Sequence, residues 1–274
     1  MRLRISHSTT YTYDPPPTGI VQVLRLTPGN HDGQYVADWN LDVSVDTRLA
    51  MRHDAFGNVT HVFNHGPLSE LTVQVSGMVE TQDTSGVLKG TIERFPPSFF
   101  LRSTPLTEPD AEMHALSHTL FEKAGGKPLD FLHALMTEIN RTMIFDTHAT
   151  SATTSAVEAF GIKRGVCQDF THIFAACARS AGVPARYVSG HFYSSEGRLT
   201  QPAGHAWAEA FVPDLGWVGF DAANGIGVTD AHIRVAIGLD YLGAAPVRGT
   251  RYGGGNEDLS VAVKVDQAGR QSQS

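Results

Sequence analysis

The feature that most constrains this chain is a change of periodicity. Up to about residue 85 the apolar residues alternate in short stretches, Leu3–Tyr13, Ile20–Leu26, Val36–Val45, Val59–Phe63 and Leu71–Val79. Alternation with period two buries one face of a pleated strand. Turn-forming clusters separate the stretches: Asp14-Pro15-Pro16-Pro17-Thr18-Gly19, Pro28-Gly29-Asn30, Asp54-Ala55-Phe56-Gly57-Asn58 and His65-Gly66-Pro67. Short strands with no helix between them pair antiparallel, so residues 1–85 are predicted to form an antiparallel β-sandwich. Nothing in this part is arranged for chemistry. Its histidines, His7, His31, His53, His61 and His65, read as surface or core residues.

Residues 86–110 read as a connector, pinned to one domain by the aromatics of Pro96-Pro97-Ser98-Phe99-Phe100-Leu101. A helix is predicted to start near Asp110, and a second to span Pro128 to Met143 with Leu129, Leu132, Leu135, Met136 and Ile139 at helical spacing. Further on, Phe170, Ile173, Phe174, Cys177 and Ala181 form one buried stripe, and Gly182-Val183-Pro184 ends that helix. Residues 111–266 are therefore assigned to a second, catalytic domain, and 267–274 to a polar, frayed tail. The fold class is α+β, a sandwich followed by a cysteine-bearing helix packed on an antiparallel sheet.

Composition removes several function classes. Hydrophobic residues make up 41% and charged residues 18% of 274, which suits a packed core rather than disorder. The formal net charge is −7 and no basic face is evident, so nucleic acid is not expected as a partner. No apolar run reaches membrane-spanning length, and the first residues lack the apolar stretch of a signal peptide, so no membrane partner and a cytoplasmic location are expected. There are two cysteines, Cys167 and Cys177. Ten positions apart on one helix, they lie roughly 15 Å from each other along the axis, too far for a disulfide. Free thiols suit a reducing compartment. A four-cysteine zinc site cannot be built, and no metal or cofactor is expected.

The chemistry concentrates in one segment. Cys167 opens the striped helix, His205 opens a strand and Asp221 closes the next one. Thiolate to attack, imidazole to carry a proton and carboxylate to hold the imidazole are the parts of a nucleophilic thiol site. A helix N-terminus and a neighbouring imidazolium both favour a thiolate. The first-turn N–H groups also point to where an oxyanion would form, so the Cys167 backbone amide is one expected donor and Gln168 a candidate second. Gly165 permits a close approach before the helix. Alternation puts His205, Trp207, Glu209 and Phe211 on one face and Ala206, Ala208, Ala210 and Val212 on the other. Pro213-Asp214-Leu215-Gly216 is the turn into the return strand. His205 and Asp221 share a face only if Trp207, rather than Ala208, stands opposite Asp221; a one-residue slip separates them. Glu209 is a rival acid, less suited because it shares a strand with His205. Trp207 is assigned to the substrate cleft; Tyr187, Tyr193 and Trp217 are further candidates whose ordinary role is core packing. The loop from Gly190 to Gly204 is expected to border the site. Cys177 reads as a small buried apolar residue, and His172 and His191 receive no role. His114 and His118, at i and i+4, lack the glutamate of H-E-x-x-H and read as a solvated helix face.

Arg164-Gly165-Val166-Cys167-Gln168-Asp169-Phe170-Thr171-His172, Gly182-Val183-Pro184-Ala185-Arg186-Tyr187-Val188-Ser189-Gly190, His205-Ala206-Trp207-Ala208-Glu209 and Gly216-Trp217-Val218-Gly219-Phe220-Asp221 together resemble the transglutaminase-like cysteine protease family of bacteria. The N-terminal part resembles the β domain preceding the core there, through Tyr11-Thr12-Tyr13-Asp14, Leu24-Arg25-Leu26-Thr27-Pro28 and Asp54-Ala55-Phe56-Gly57-Asn58. The resemblance implies a papain-like α+β core and a triad mapping onto Cys167, His205 and Asp221. Where family members often have Asp-Pro-Thr, this chain has Asp221-Ala222-Ala223, so its local turn is expected to differ.

The function expected is a cysteine hydrolase (peptidase, amidase or isopeptidase) acting on a peptide or protein through a thioester acyl-enzyme. A protein transamidase, with an amine in place of water, is the nearest alternative. A catalytically silent binding or assembly module is the alternative of another class, opposed by the complete set of three residues. No calcium loop of the D-x-[DN]-x-[DN]-G type is present. A peptide N-glycanase lacks its usual cysteine zinc site here, and the flanking motifs do not match an arylamine acyltransferase.

Overall fold

The structure is a computed structural model and describes residues 1–194 and 204–268. The alternating N-terminal stretches become β1 (Arg2–Asp14), β2 (Gly19–Thr27), β3 (Gln34–Val43), β4 (Ala50–His53), β5 (Val59–His65), β6 (Glu70–Thr81) and a short β7 (Val87–Leu88). The helical region supplies α1 (Ala111–Lys123), α2 (Pro128–Thr142), β8 (Ile144–Phe145), α3 (Ala156–Ile162), β9 (Arg164–Gly165) and α4 (Cys167–Ser180). There follow β10 (Ala185–Phe192), β11 (His205–Val212), β12 (Gly216–Asp221), β13 (Ile226–Gly227), β14 (His232–Gly238), α5 (Tyr241–Ala244), β15 (Val247–Tyr252) and β16 (Asn256–Gln267). The class is α+β, as the sequence implied, with an antiparallel sandwich and a papain-like core in which α4 packs on an antiparallel sheet.

The sandwich has two four-stranded sheets, β16-β1-β6-β3 and β15-β2-β5-β4, closed over Tyr13, Ile20, Leu24, Phe63, Leu71 and Val75. Two of its strands come from the far end of the chain. The division expected from sequence, with 111–266 as the catalytic unit and a frayed tail from 267, differs from this pairing. β15 lies along β2 and β16 along β1, with Gln267 opposite Leu3 and the Ala268 amide donating to the Arg2 carbonyl. The polar run Asn256-Glu257-Asp258 gives no local sign of this, because a partner some 250 residues away leaves no trace in periodicity. Residues 269–274 lie outside the described residues.

The second sheet has the order β13-β12-β11-β10-β14, with β7 also on β12. Alternation sorts its residues as expected. Ala206, Ala208, Ala210, Val212, Val218 and Phe220 face α4 and its neighbouring helices, in one core with Leu135, Ile139, Phe170 and Phe174. The three alanines let the α4 backbone approach closely. Trp207 and Trp217 fall on the opposite face, with Phe100, Val188 and Ile237. Phe99 and Phe100 of the connector pack into this second cluster, so residues 86–110 are anchored.

The sandwich also covers β14, an edge of this second sheet. Asn58 Oδ1 accepts the Ile237 N–H at 2.8 Å while its Nδ2 donates to the Ile237 carbonyl at 2.8 Å. Gln34 does the same for Arg234, at 2.8 and 2.9 Å. Each side-chain amide replaces one residue of a missing strand, which satisfies main-chain groups an edge would leave open.

Candidate active site

Cys167 is the first residue of α4, His205 the first of β11 and Asp221 the last of β12. Because β11 and β12 are antiparallel, the start of one and the end of the other meet at the same end of the hairpin. Their register pairs Ala208 with Phe220 and Glu209 with Gly219, which continues to Trp207 opposite Asp221. This is the register that sequence alone left open. His205 Nε2 and Asp221 Oδ2 are 2.7 Å apart. With Nε2 committed to the carboxylate, Nδ1 is the ring nitrogen left for the Cys167 thiol, which also hydrogen-bonds this imidazole.

Electrostatics give His205 and Asp221 opposite states. Burial alone would lower the pKa of His205, but the charge and hydrogen bond of Asp221, helped by Cys167, outweigh it and raise it to about 10. Burial would raise that of Asp221, which is completely buried, yet His205 and His232 hold its carboxyl well below the usual range. The pair at neutral pH is therefore imidazolium and carboxylate. Further along α4, burial raises the Cys177 thiol to about 12, and Cys177 sits in the core with its Sγ 3.9 Å from the Met113 carbonyl oxygen. Neither cysteine is in a disulfide, as expected.

The turn into Cys167 is held by Asp169. Its Oδ2 accepts the Val166 N–H at 2.8 Å and the Thr150 hydroxyl at 2.6 Å. Gly165 is required here, since a Cβ would lie 2.7 Å from that of Asp169. The turn after Asp221 is held differently from a proline turn. Asn140 of α2 donates to the Ala222 and Ala223 carbonyls, each at 3.0 Å, and Gly225 takes φ +68°.

Among the remaining candidates, Trp207 departs from its expected position. Trp207 is 1% exposed and belongs to the core beneath the sheet, so it does not line an open cleft; its ring backs His232. Tyr187 and Trp217 are likewise buried. The Gln168 side chain donates to the Ala152 carbonyl at 3.4 Å, which leaves its main-chain N–H for any role toward an oxyanion. Glu209 is taken by Arg186 at 2.6 Å and Arg234 at 2.7 Å; burial would raise its pKa, but these guanidinium groups lower it to about 2. His114 bonds Ser180 and His118 meets Glu122, so the i, i+4 pair does not converge on a metal. Most of the loop between Gly190 and Gly204 lies outside the described residues.

Two residues that sequence did not assign to the site stand against Asp221. Asn224 donates from Nδ2 to Oδ2 at 2.7 Å and from its backbone to Oδ1 at 3.1 Å. His232 of β14 places Nε2 3.1 Å from the same Oδ2. His205, Asp221 and His232 thus form a group of metal-ligand types whose atoms lie within 4.8 Å of one another. Ligand atoms around a zinc at ~2.0–2.1 Å in a tetrahedron would stand roughly 3.4 Å apart. Separations of 2.7 and 3.1 Å suit N–H···O bonds better than a shared ion.

The family follows from comparison as well as from geometry. Residues 115–222 match the transglutaminase-like superfamily core, and residues 3–80 match the bacterial transglutaminase-like N-terminal region. The chain belongs to the bacterial transglutaminase-like family. An uncharacterised protein of Mycobacterium leprae is 30% identical over 96% of this chain and 98% of its own. A solved structure from Cytophaga hutchinsonii, described as a cysteine protease candidate, superposes with TM-score 0.77 at 18% identity, covering 99% of this chain and 92% of that one. A protein-glutamine γ-glutamyltransferase of Pseudomonas aeruginosa is 31% identical over 113 residues, 35% of this chain and 16% of that protein.

Proposed function

We propose that this protein is a cysteine hydrolase acting on an amide of a peptide or protein, with Cys167 as nucleophile, His205 as proton carrier and Asp221 as orienting carboxylate. The observation that carries this is the His205 ring held between Asp221, at 2.7 Å, and the Cys167 thiol. The Cys167 thiolate attacks the carbonyl carbon, a C–S bond forms and the carbonyl electrons move onto oxygen. The Cys167 amide, in the first turn of α4, is the donor assigned to the oxyanion. Collapse expels the amine with a proton from His205 and leaves a thioester. Water, giving its proton to His205, attacks the thioester and releases the acid and the thiolate.

Amine in place of water would give transamidation, and the local similarity to the Pseudomonas γ-glutamyltransferase favours keeping that reading second. A reducing, cytoplasmic setting belongs to the proposal, supported by two cysteines that form no disulfide. The test is iodoacetamide labelling of Cys167 against pH in wild type and His205→Ala, with Cys177 separated by mass spectrometry. Fast labelling below neutral pH that His205→Ala slows supports the proposal. Amide substrates with and without a primary amine then divide hydrolysis from transfer. Labelling indifferent to His205 overturns it in favour of a silent binding module.

A further inference from the structure

We propose that His232 is a positioning residue for the reaction, a neutral hydrogen-bond donor that fixes Asp221 against His205. The inference rests on the nucleophile, imidazole and carboxylate roles proposed above. It starts from the tautomer. The Thr229 N–H donates to His232 Nδ1 at 3.2 Å, so in the neutral ring the proton resides on Nε2, the atom 3.1 Å from Asp221 Oδ2. The ring is fully buried, packed edge-on against Trp207 with centroids 5.1 Å apart and tilted on Phe192 at 4.6 Å. Burial, and then the charge of His205, keep its pKa low although Asp221 pulls it up. Of the two imidazoles on one carboxylate, His205 takes the charge and His232 stays neutral.

A neutral partner suits this place. A second cation would compete with His205 for Asp221, and an apolar ring would leave a buried carboxylate oxygen with one donor fewer. His232 and Asn224 hold Asp221 from two sides, so its Oδ2 lone pairs stay aimed at His205 Nε2. The strand carrying His232 is itself fixed from outside, since Asn58 and Gln34 of the sandwich bond β14 at Ile237 and Arg234. The orientation of the acid thus depends on a side chain from the opposite edge of the sheet.

The experiment measures the Cys167 alkylation rate by iodoacetamide at roughly pH 6 and roughly pH 9 in wild type, His205→Ala, His232→Phe and His232→Gln, with thermal melts of each. Gln places a side-chain N–H where His232 has Nε2–H; Phe keeps the ring and removes the donor. The expected result is labelling about tenfold slower in His232→Phe at the lower pH, near-equal rates at the higher pH, and recovery in His232→Gln. His232→Phe matching wild type at both pH values, while His205→Ala slows labelling, overturns this inference alone. Equal slowing at both pH values without recovery by Gln also overturns it, as the mark of a packing role. Wild-type labelling indifferent to His205→Ala removes the proposed function and this inference together.

Discussion

The sandwich and the sheet carrying His205 meet across a buried pair of imidazoles, and that junction should make the protein acid-sensitive by a calculable amount. His7 of β1 and His191 of β10 are each 3% exposed, with ring centroids 5.8 Å apart and edge-on. Neither Nδ1 has a hydrogen-bond partner. Burial lowers the pKa of His7 from 6.5 to about 4 and, with the added charge of His7, that of His191 to about 3. A base lowered on folding costs nothing above its unfolded value of 6.5. As pH falls below 6.5 the unfolded chain takes up a proton that the folded chain refuses, so stability falls until the folded value is reached. Between pH 7 and pH 5 this linkage amounts to about 2 kcal/mol for each ring. Urea unfolding at both pH values would measure it. In His191→Phe the loss of unfolding free energy from pH 7 to pH 5 should be smaller than in wild type by about 2 kcal/mol, because other titrating groups cancel in the comparison. The same loss in both proteins would refute the assignment of His191 as a buried neutral base.

Three further outcomes are expected. In Asp221→Asn the larger of the two partners that raise His205 is gone, with Cys167 left against burial, so its titration, followed by NMR, should fall well below about 10; most of the stability that the wild-type pair adds below pH 6.5, and loses as pH climbs through about 10, should go with it. Glu209→Gln leaves the buried Arg186 and the mostly buried Arg234 without their shared carboxylate and should cost about 3–5 kcal/mol in chemical unfolding, even though Arg186 keeps Glu93 at 2.7 Å and the Trp217 ring at 3.9 Å. Asn58→Ala strips both main-chain partners of Ile237 and should speed hydrogen exchange at that amide while leaving the Arg234 amide, held by Gln34, near its wild-type rate.

Much of the architecture was legible because it is written in local patterns. The alternation of 1–85, the helix N-cap at Asp110, the stripe Phe170–Ala181 and the alanine face of β11 each state which side of an element is buried, and burial of that side is what forms the element. That Cys167, His205 and Asp221 belong together was legible too, since few side chains suit a thiol, imidazole and carboxylate site, and the fold brings the three into contact. Tertiary structure alone decided what those patterns cannot encode. Register chose Trp207 rather than Ala208 to face Asp221, and so put His205 and Asp221 on one side of the sheet. Long-range pairing returned β15 and β16 to the sandwich. Burial moved Trp207 from the expected cleft into the core and gave Glu209 to two arginines. Packing brought His232, eleven residues beyond Asp221, onto the same carboxylate oxygen, a role no motif around it announces. Periodicity records whether a residue faces in or out; which residue it meets there depends on strands that are distant in sequence and adjacent only once the chain has folded.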